Sequence, residues 1–116
     1  MRKPWQRSSD PMRPVAFAVF AALLLPSPPA VAAPRTHTIV IGAMKFGPMP
    51  QGVRAGDRIL WVNKDMFRHT ATAKDRSFDV DLPPGTRKSS IVRKAGEIAV
   101  ICRYHPGMRM MLKVKP

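Results

Sequence analysis

Apolar and polar residues alternate in short runs along most of the chain. In the run 77–82, Phe78, Val80 and Leu82 fall on one face, which is typical of a half-buried strand. We predict strands at residues 38–41, 58–63, 70–73, 77–82, 86–92, 97–102 and 110–114. Turn signals such as Gly47-Pro48 separate these runs. Because no long stretch has a helical period, the pattern predicts an all-β fold, a Greek-key β-sandwich of about seven to eight strands.

A different pattern precedes the strands. Residues 2–13 contain four basic residues and one acidic residue, and 11 apolar residues follow at 15–25. A membrane-spanning helix needs about 20 apolar residues, and Pro26 ends this run, so the segment is typical of a secretory signal peptide. The small residues Ala30 and Ala32 favour cleavage after Ala32. We predict a signal peptide at 1–32, a single domain at 33–116 and a periplasmic location; an uncleaved membrane anchor is the alternative.

Charge and cysteine content narrow the function of that domain. Residues 33–116 contain 16 Lys and Arg against 6 Asp and Glu, a net charge of +10. With one cysteine the domain cannot form an internal disulfide, so a bound metal is a candidate for the stabilising element. Positive charge can indicate nucleic-acid binding, but this chain lacks the clustered aromatic residues that stack on bases. We expect a monomer with no nucleic-acid partner and no stable membrane insertion.

Candidate metal ligands are concentrated in one short segment. Cys102, His105 and Met108 fall within seven residues, at the end of a predicted strand and in the loop that follows it. A thiolate, an imidazole and a thioether together are ligands that copper accepts and hard cations do not. His69, at the start of another predicted strand, can supply a second imidazole. Two imidazoles and a thiolate with a weak axial methionine suit both Cu(I) and Cu(II), which predicts an electron-transfer site.

The chain from residue 33 onward resembles the small blue copper proteins, the cupredoxins of the plastocyanin and amicyanin type. The resemblance rests on residues 38–48, 55–65, 69–72 and 78–79, on Pro84-Gly85, and on residues 102–108, which read Cys-Arg-Tyr-His-Pro-Gly-Met. It implies an eight-stranded sandwich with one type 1 copper and a role as a periplasmic electron shuttle. By position, the ligands are His69, Cys102 and His105, with Met108 axial.

Two positions depart from the pattern of these relatives. Met110 stands at the spacing after His105 that the plastocyanin-like members use for the axial ligand. We favour Met108, because alternation in the last strand makes Met110, Leu112 and Val114 a core face. Thr70 stands where many relatives have an asparagine that ties the two ligand loops together, and we expect its hydroxyl to donate a similar hydrogen bond.

The remaining candidates have simpler interpretations. We expect His37 to be solvated near a frayed end, and Trp61 and Phe46 to lie in the core. Scattered methionines are usually core residues, and we expect this of the following four: Met44, Met49, Met66 and Met111.

The resemblance also suggests how a partner would dock. Arg68, Arg103 and Arg109 would form a cationic rim around an exposed His105 and attract redox partners with acidic surfaces in a salt-sensitive contact. We expect no enzyme, because a four-ligand site leaves no position for a substrate. A Cu(I) chaperone or copper storage protein is the alternative.

Overall fold

The computed structural model describes residue 4 and residues 11–116. The chain divides into two units, Met1–Ala30 and Val31–Pro116. In the first unit, the described residues from 11 to 30 form no helix or strand and are exposed. The basic residues predicted to begin the signal peptide, at positions 2, 3 and 7, lie outside the described residues. A search of the described part of the chain finds no helix with the length and apolarity to cross a membrane.

The second unit consists of strands packed as two sheets. Eight strands are present among the described residues: β1 (Thr36–Gly42), β2 (Lys45–Phe46), β3 (Arg58–Asn63), β4 (His69–Ala73), β5 (Asp79–Leu82), β6 (Arg87–Ile91), β7 (Gly96–Ile101) and β8 (Arg109–Val114). One sheet has the order β2-β1-β3-β6 and the other β5-β4-β7-β8. β1 runs parallel to β3, and the other strand pairs are antiparallel. The predicted all-β sandwich is confirmed.

Alternate residues of both sheets form the core between them. Fully buried side chains come from each sheet: Ile39, Ile41, Ile59 and Trp61 from one, and Leu82, Val100 and Leu112 from the other. The Trp61 ring packs against Phe46 and Phe78, with ring centroids 6.0 and 5.8 Å apart. Trp61 is therefore a core residue, as predicted, and Phe46 packs against the core while partly exposed.

The seven predicted strands are present, with ends that differ by at most two residues from those predicted, but β2 was not predicted. The turn from β1 into β2 places Ala43 and Met44 at positive φ, 48° and 61°. Such tight hairpin turns normally contain Gly, Asn or Asp, so this sequence has no turn signal there. The Met44 N–H donates to Asp65 Oδ2 at 2.9 Å, which fixes the turn from outside the hairpin.

The prediction that four methionines fill the core is wrong for three of them. Met49 packs against the core, but Met44, Met66 and Met111 are 36%, 78% and 46% exposed. Met44 lies in the hairpin turn and Met66 in the loop before β4, where the backbone is at the surface. Met111 lies on β8 next to the buried Leu112 and faces outward, because successive strand residues point to opposite faces.

A buried carboxylate at the start of β3 joins it to β1. Asp57 accepts hydrogen bonds from the Arg35 N–H at 3.0 Å and the Arg54 N–H at 2.9 Å. His37 Nε2 lies 2.8 Å from the same carboxylate. The prediction that His37 is solvated is therefore wrong: β1 holds it against Asp57, and its side chain is only 12% exposed. The Arg35 N–H, with the Arg54 N–H and His37, lowers the pKa of Asp57 to about 2 although burial raises it.

Asp57→Asn should reduce the free energy of unfolding by about 2 kcal/mol at pH 7, because a pKa depressed from 3.8 to about 2 stabilises the fold by that amount. The folded pKa lies below the unfolded one, so the contribution is complete well above pH 3.8 and disappears as the pH falls toward 2. Urea unfolding between pH 2 and 7 measures it. The difference between wild type and variant should shrink with acidification, and a constant difference would contradict this role.

Candidate metal centre

One buried asparagine organises the loop that presents His69. Asn63, at the end of β3, donates through its side-chain amide to the Phe67 carbonyl at 2.8 Å and to the Leu82 carbonyl at 2.9 Å. Its side-chain oxygen accepts from the Asp65 N–H at 2.9 Å. The loop between β3 and β4 is thus bonded at both ends to one side chain, which fixes the start of β4 where His69 lies.

His69 is completely buried and its two ring nitrogens have different surroundings. Nε2 lies 2.9 Å from the Asp65 carboxylate, whereas Nδ1 faces Cys102 and His105. The hydrogen bond with His69, followed by that from the Met44 N–H, lowers the pKa of Asp65. The carboxylate on Nε2 orients the ring so that Nδ1 is the nitrogen that can bind a metal.

The other ligand candidates lie in a short closed loop between β7 and β8. The Cys102 N–H donates to the Met108 carbonyl at 3.1 Å, and the Met108 N–H donates to the His105 carbonyl at 2.9 Å. These two bonds hold the loop so that the side chain of His105 points back toward Cys102. Cys102 is buried and His105 is half-buried.

The structure brings three of the predicted ligands into a compact triangle. His69 Nδ1 and His105 Nδ1 are 3.2 Å apart, and Cys102 Sγ lies 3.8 Å from the first and 3.4 Å from the second. Metal bonds of about 2.0–2.3 Å to three ligand atoms in a plane would separate those atoms by roughly 3.5–3.9 Å. The triangle is therefore close to the size that a first-row metal ion needs, and its donors are the soft set that copper prefers.

The thiol of Cys102 ionises easily in this site. Burial raises its pKa, but hydrogen bonds from the Thr70 N–H, His105, His69 and the Tyr104 N–H together lower the pKa to about 6. The thiolate is the form that binds metal. At neutral pH the site thus presents a thiolate beside two histidine rings that are already in place.

The structure also separates the two methionines. Met108 is buried inside the loop that contains His105, with only 4% of its surface exposed. Met110 lies on β8 opposite Val100 and packs against the core, and Leu112 and Val114 are buried on the same face as predicted.

Thr70 joins the two ligand loops as expected, although its hydroxyl accepts the bond. The Thr70 side-chain oxygen accepts from the Arg103 N–H at 2.9 Å, and the Thr70 N–H lies 3.4 Å from Cys102 Sγ. One residue thus bonds both the thiolate and the peptide that follows it.

Exposed aromatic and charged side chains surround His105. The ring of Phe67, half exposed, lies edge-on to His105 with centroids 6.4 Å apart. Tyr104 lies between Arg68 and Arg103, whose guanidinium carbons are 5.7 and 5.9 Å from its ring centre. We call the exposed surface formed by residues 66–68 and 103–107 the loop face.

Two of the three arginines predicted as a cationic rim are paired with acids. Arg68 bonds Asp81, and Arg103 Nε lies 3.3 Å from Asp79. The net charge that they add to the loop face is therefore smaller than the sequence suggests.

Sequence reasoning identified the ligand candidates but missed the side chains that orient them. In the sequence, Asn63-Lys64-Asp65 is simply a turn signal after an apolar run. The available signal was an Asp four residues before His69 and a buried Asn at the end of an apolar strand, but neither pattern is specific without the fold.

Comparisons with known proteins agree with this fold. The family described as a cupredoxin-like domain matches residues 15–114. A search of curated proteins finds no significant match. Among solved structures, a novel purple cupredoxin from Nitrosopumilus maritimus has 20% sequence identity and a TM-score of 0.60, over 67% of this chain and 98% of that one.

Two amicyanin structures are also similar to this chain. A reduced amicyanin variant has 23% identity and a TM-score of 0.58 over 67% of this chain and 80% of its own. The Cu(I) form of another amicyanin variant has 24% identity and a TM-score of 0.58 over 73% and 86%. At these identities, the structural matches show a shared fold.

Proposed function

Because the chain belongs to the cupredoxin-like family and its cofactor is one type 1 copper ion, we propose that it is an exported electron carrier. We assign His69, Cys102 and His105 as the three strong ligands and Met108 as the weak axial ligand. The observation that supports this function best is the preformed triangle of two imidazole nitrogens and one thiolate sulfur, with edges of 3.2 to 3.8 Å.

The geometry suits electron transfer because the ligand atoms are fixed before any metal binds. A copper ion held there would gain and lose a single electron. Asp65 holds the His69 ring and the loop bonds hold His105, so neither ring needs to reorient when the charge changes. His69 and Cys102 are buried while His105 is half-buried, so the imidazole edge of His105 is the shortest route for an electron to the surface.

Met108 fits the axial role better than Met110. It is buried within the ligand loop, two bonds of which fix its backbone relative to Cys102 and His105. Met110 lies beyond the loop in β8, where its partner Val100 belongs to the core.

The proposed carrier works outside the cytoplasm, with residues 1–32 as its signal peptide and 33–116 as its mature domain. The apolar segment at 15–25 is too short to span a bilayer as a helix, and the division of the chain into units falls after Ala30, near the predicted cleavage site.

We propose that redox partners dock at the loop face and present acidic groups. Arg109 and Lys64 are exposed near the ligand loops, and the domain has a net charge of +10, which attracts an acidic partner from a distance. Because Arg68 and Arg103 are already paired with acidic residues, we expect the contact with the partner to be small and transient. We also propose that the protein acts as a monomer.

Raising the ionic strength should slow electron exchange with an acidic partner protein, because salt screens the long-range attraction. Stopped-flow mixing of the reduced protein with an acidic and a basic oxidant, over a range of salt concentrations, measures this. Rates with the basic oxidant should rise or stay constant. Equal salt dependence for both oxidants would contradict charge-guided docking.

Delivery or storage of Cu(I) is the second candidate function. It is favoured by the exposed thioethers of Met44 and Met66. Both residues lie near the candidate site, because the backbone N–H of each donates to the carboxylate of Asp65, which also bonds His69. Thioethers prefer Cu(I) to Cu(II). A carrier of Cu(I) ions would not require a stable Cu(II) state.

Adding Cu(II) to the protein purified from the periplasm distinguishes the two functions. An electron carrier should bind one equivalent and develop intense absorption at about 600 nm, as a trigonal thiolate site does. A protein that stays colourless with Cu(II) and binds only Cu(I) would support the second function. The mass of the same preparation shows whether cleavage follows Ala32.

A further inference from the structure

A chain of hydrogen bonds leads from the ligand loop to a carboxylate on the outer face of the sheet. The Arg103 N–H donates to Thr70 Oγ1 at 2.9 Å. Thr70 Oγ1 lies 2.9 Å from Thr72 Oγ1, which lies 2.7 Å from Asp79 Oδ1. The chain closes on itself, because the side chain of Arg103 also pairs with Asp79 at 3.3 Å.

Proton counting fixes the direction of these bonds. A carboxylate only accepts, so the single hydroxyl hydrogen of Thr72 points to Asp79. The hydroxyl hydrogen of Thr70 then points to Thr72, because its other neighbour, the Arg103 N–H, is itself a donor. Asp79 thus determines the orientation of Thr70 through Thr72, and leaves a lone pair of Thr70 directed at the ligand loop.

Thr70 is the residue at which this series of hydrogen bonds reaches the candidate metal centre. It is completely buried, and its backbone N–H bonds Cys102 Sγ while its side chain bonds the next peptide. A turn of the Thr70 hydroxyl away from the loop would leave a part-buried N–H without a partner, which costs free energy.

We propose that Thr72 and Asp79 are positioning residues for the copper centre: they hold the Thr70 hydroxyl as an acceptor for the Arg103 N–H and so fix the peptide next to Cys102. This inference rests on the proposed function only for its effect on copper; its structural part concerns the metal-free chain. Asp79 does this from an exposed position, with half of its side chain in solvent.

The protein offers a matched control for Asp79. Asp81 lies two residues along β5, opposite Thr70 in the register, and its carboxylate pairs with Arg68. Asp79→Asn and Asp81→Asn each remove one negative charge and weaken one arginine pair, but only the first weakens the hydrogen-bond chain, because the neutral amide oxygen of Asn is a poorer acceptor for the Thr72 hydroxyl than the carboxylate. Thr72→Val breaks the chain with no change in charge, and Thr72→Ser keeps the hydroxyl.

Amide hydrogen exchange of the metal-free protein tests the structural part. In Thr72→Val and Asp79→Asn the Arg103 amide should exchange faster, by up to about tenfold, the range expected from weakening one hydrogen bond. In Thr72→Ser and Asp81→Asn it should exchange at the wild-type rate. Unchanged exchange in Thr72→Val, or equal acceleration in Asp79→Asn and Asp81→Asn, would overturn the proposal.

The reduction potential of the copper-loaded protein tests the link to the metal centre. Thr72→Val and Asp79→Asn should each shift the reduction potential and the visible band, whereas Thr72→Ser should keep the wild-type values. The double variant Thr72→Val with Asp79→Asn should shift the potential by less than the sum of the two single shifts. A shift in Asp81→Asn as large as that in Asp79→Asn would reduce the effect to charge alone and overturn the positioning role. A wild type without a visible band would refute the proposed function, and the exchange result would still decide the structural part.

Discussion

Cys102→Ser should give a folded protein that stays colourless with Cu(II) and binds Cu(II) at least about 100-fold more weakly than wild type. Loss of a residue that only supports a ligand already costs up to about 100-fold in affinity, so loss of a ligand should cost at least as much. Cys102 Sγ is one corner of the triangle, 3.4 and 3.8 Å from the two imidazole nitrogens. Serine has nearly the same shape, but its hydroxyl is a hard ligand that does not ionise at neutral pH. The thiolate is the donor that both makes the band and favours copper.

Methionine variants are the matched controls for this result. Met108→Leu should keep the thiolate band but shift it and the reduction potential, since the axial ligand tunes such sites. Met110→Leu should leave both unchanged, because Met110 packs against the core. Visible absorption, copper titration and voltammetry of the three variants measure these effects. A blue Cys102→Ser protein would refute the thiolate site, and a shift in Met110→Leu alone would reassign the axial ligand.

The apo form of Cys102→Ser must remain folded for this comparison to be informative. Cys102 is buried, and its backbone N–H donates to the Met108 carbonyl. The serine substitution leaves this backbone bond in place. The loop should therefore keep its shape, and the thermal midpoint of the metal-free variant should lie within a few degrees of wild type. Copper should then raise the midpoint of wild type and not that of the variant, because only wild type binds it tightly.

The strands and the cluster of candidate ligands could be predicted because both depend on short stretches of sequence. Alternation along 77–82 placed Phe78, Val80 and Leu82 on the buried face, and soft donors in one loop pointed to copper. These signals depend on side-chain chemistry and short spacing alone. They survive even where the exact ends of the strands shift.

The supporting side chains could not be predicted because their roles depend on register between distant strands. Thr72 meets Asp79 only because β4 and β5 pair residue 72 with residue 79. A shift of one residue would send these side chains to opposite faces. His37 meets Asp57 for the same reason: β1 and β3 run parallel, a pairing that the alternation pattern does not show.

The Asp57 carboxylate and the ligand triangle lie at opposite ends of the sandwich. Asp57 bonds the backbone before β1 and β3 at the ends where both strands begin, whereas the triangle lies where β3 and β7 end and β4 begins. The ligand positions therefore depend on strands whose other ends are fixed independently. We expect the packed core between the two ends to hold these strands in place.

Trp61→Ala should lower the free energy of unfolding by about 3–5 kcal/mol, the usual cost of removing a buried large aromatic side chain. Trp61 lies in the middle of β3, fully buried, between Phe46 and Phe78. Its Nε1–H also donates to Ser90 Oγ at 2.9 Å. Against a total stability of about 5–15 kcal/mol for a small domain, this loss should lower the urea midpoint by about a fifth or more.

Two further variants separate packing from hydrogen bonding at Trp61. Ser90→Ala removes only the partner of the indole N–H and should cost about 1 kcal/mol. Trp61→Phe keeps most of the aromatic packing against Phe46 and Phe78 and should fall between Ser90→Ala and Trp61→Ala. Urea unfolding with a constant m value measures all three. If Trp61→Ala cost no more than Ser90→Ala, the indole ring would not be the packing centre between the sheets, and the rigidity of the ligand triangle would have to come from the loops alone.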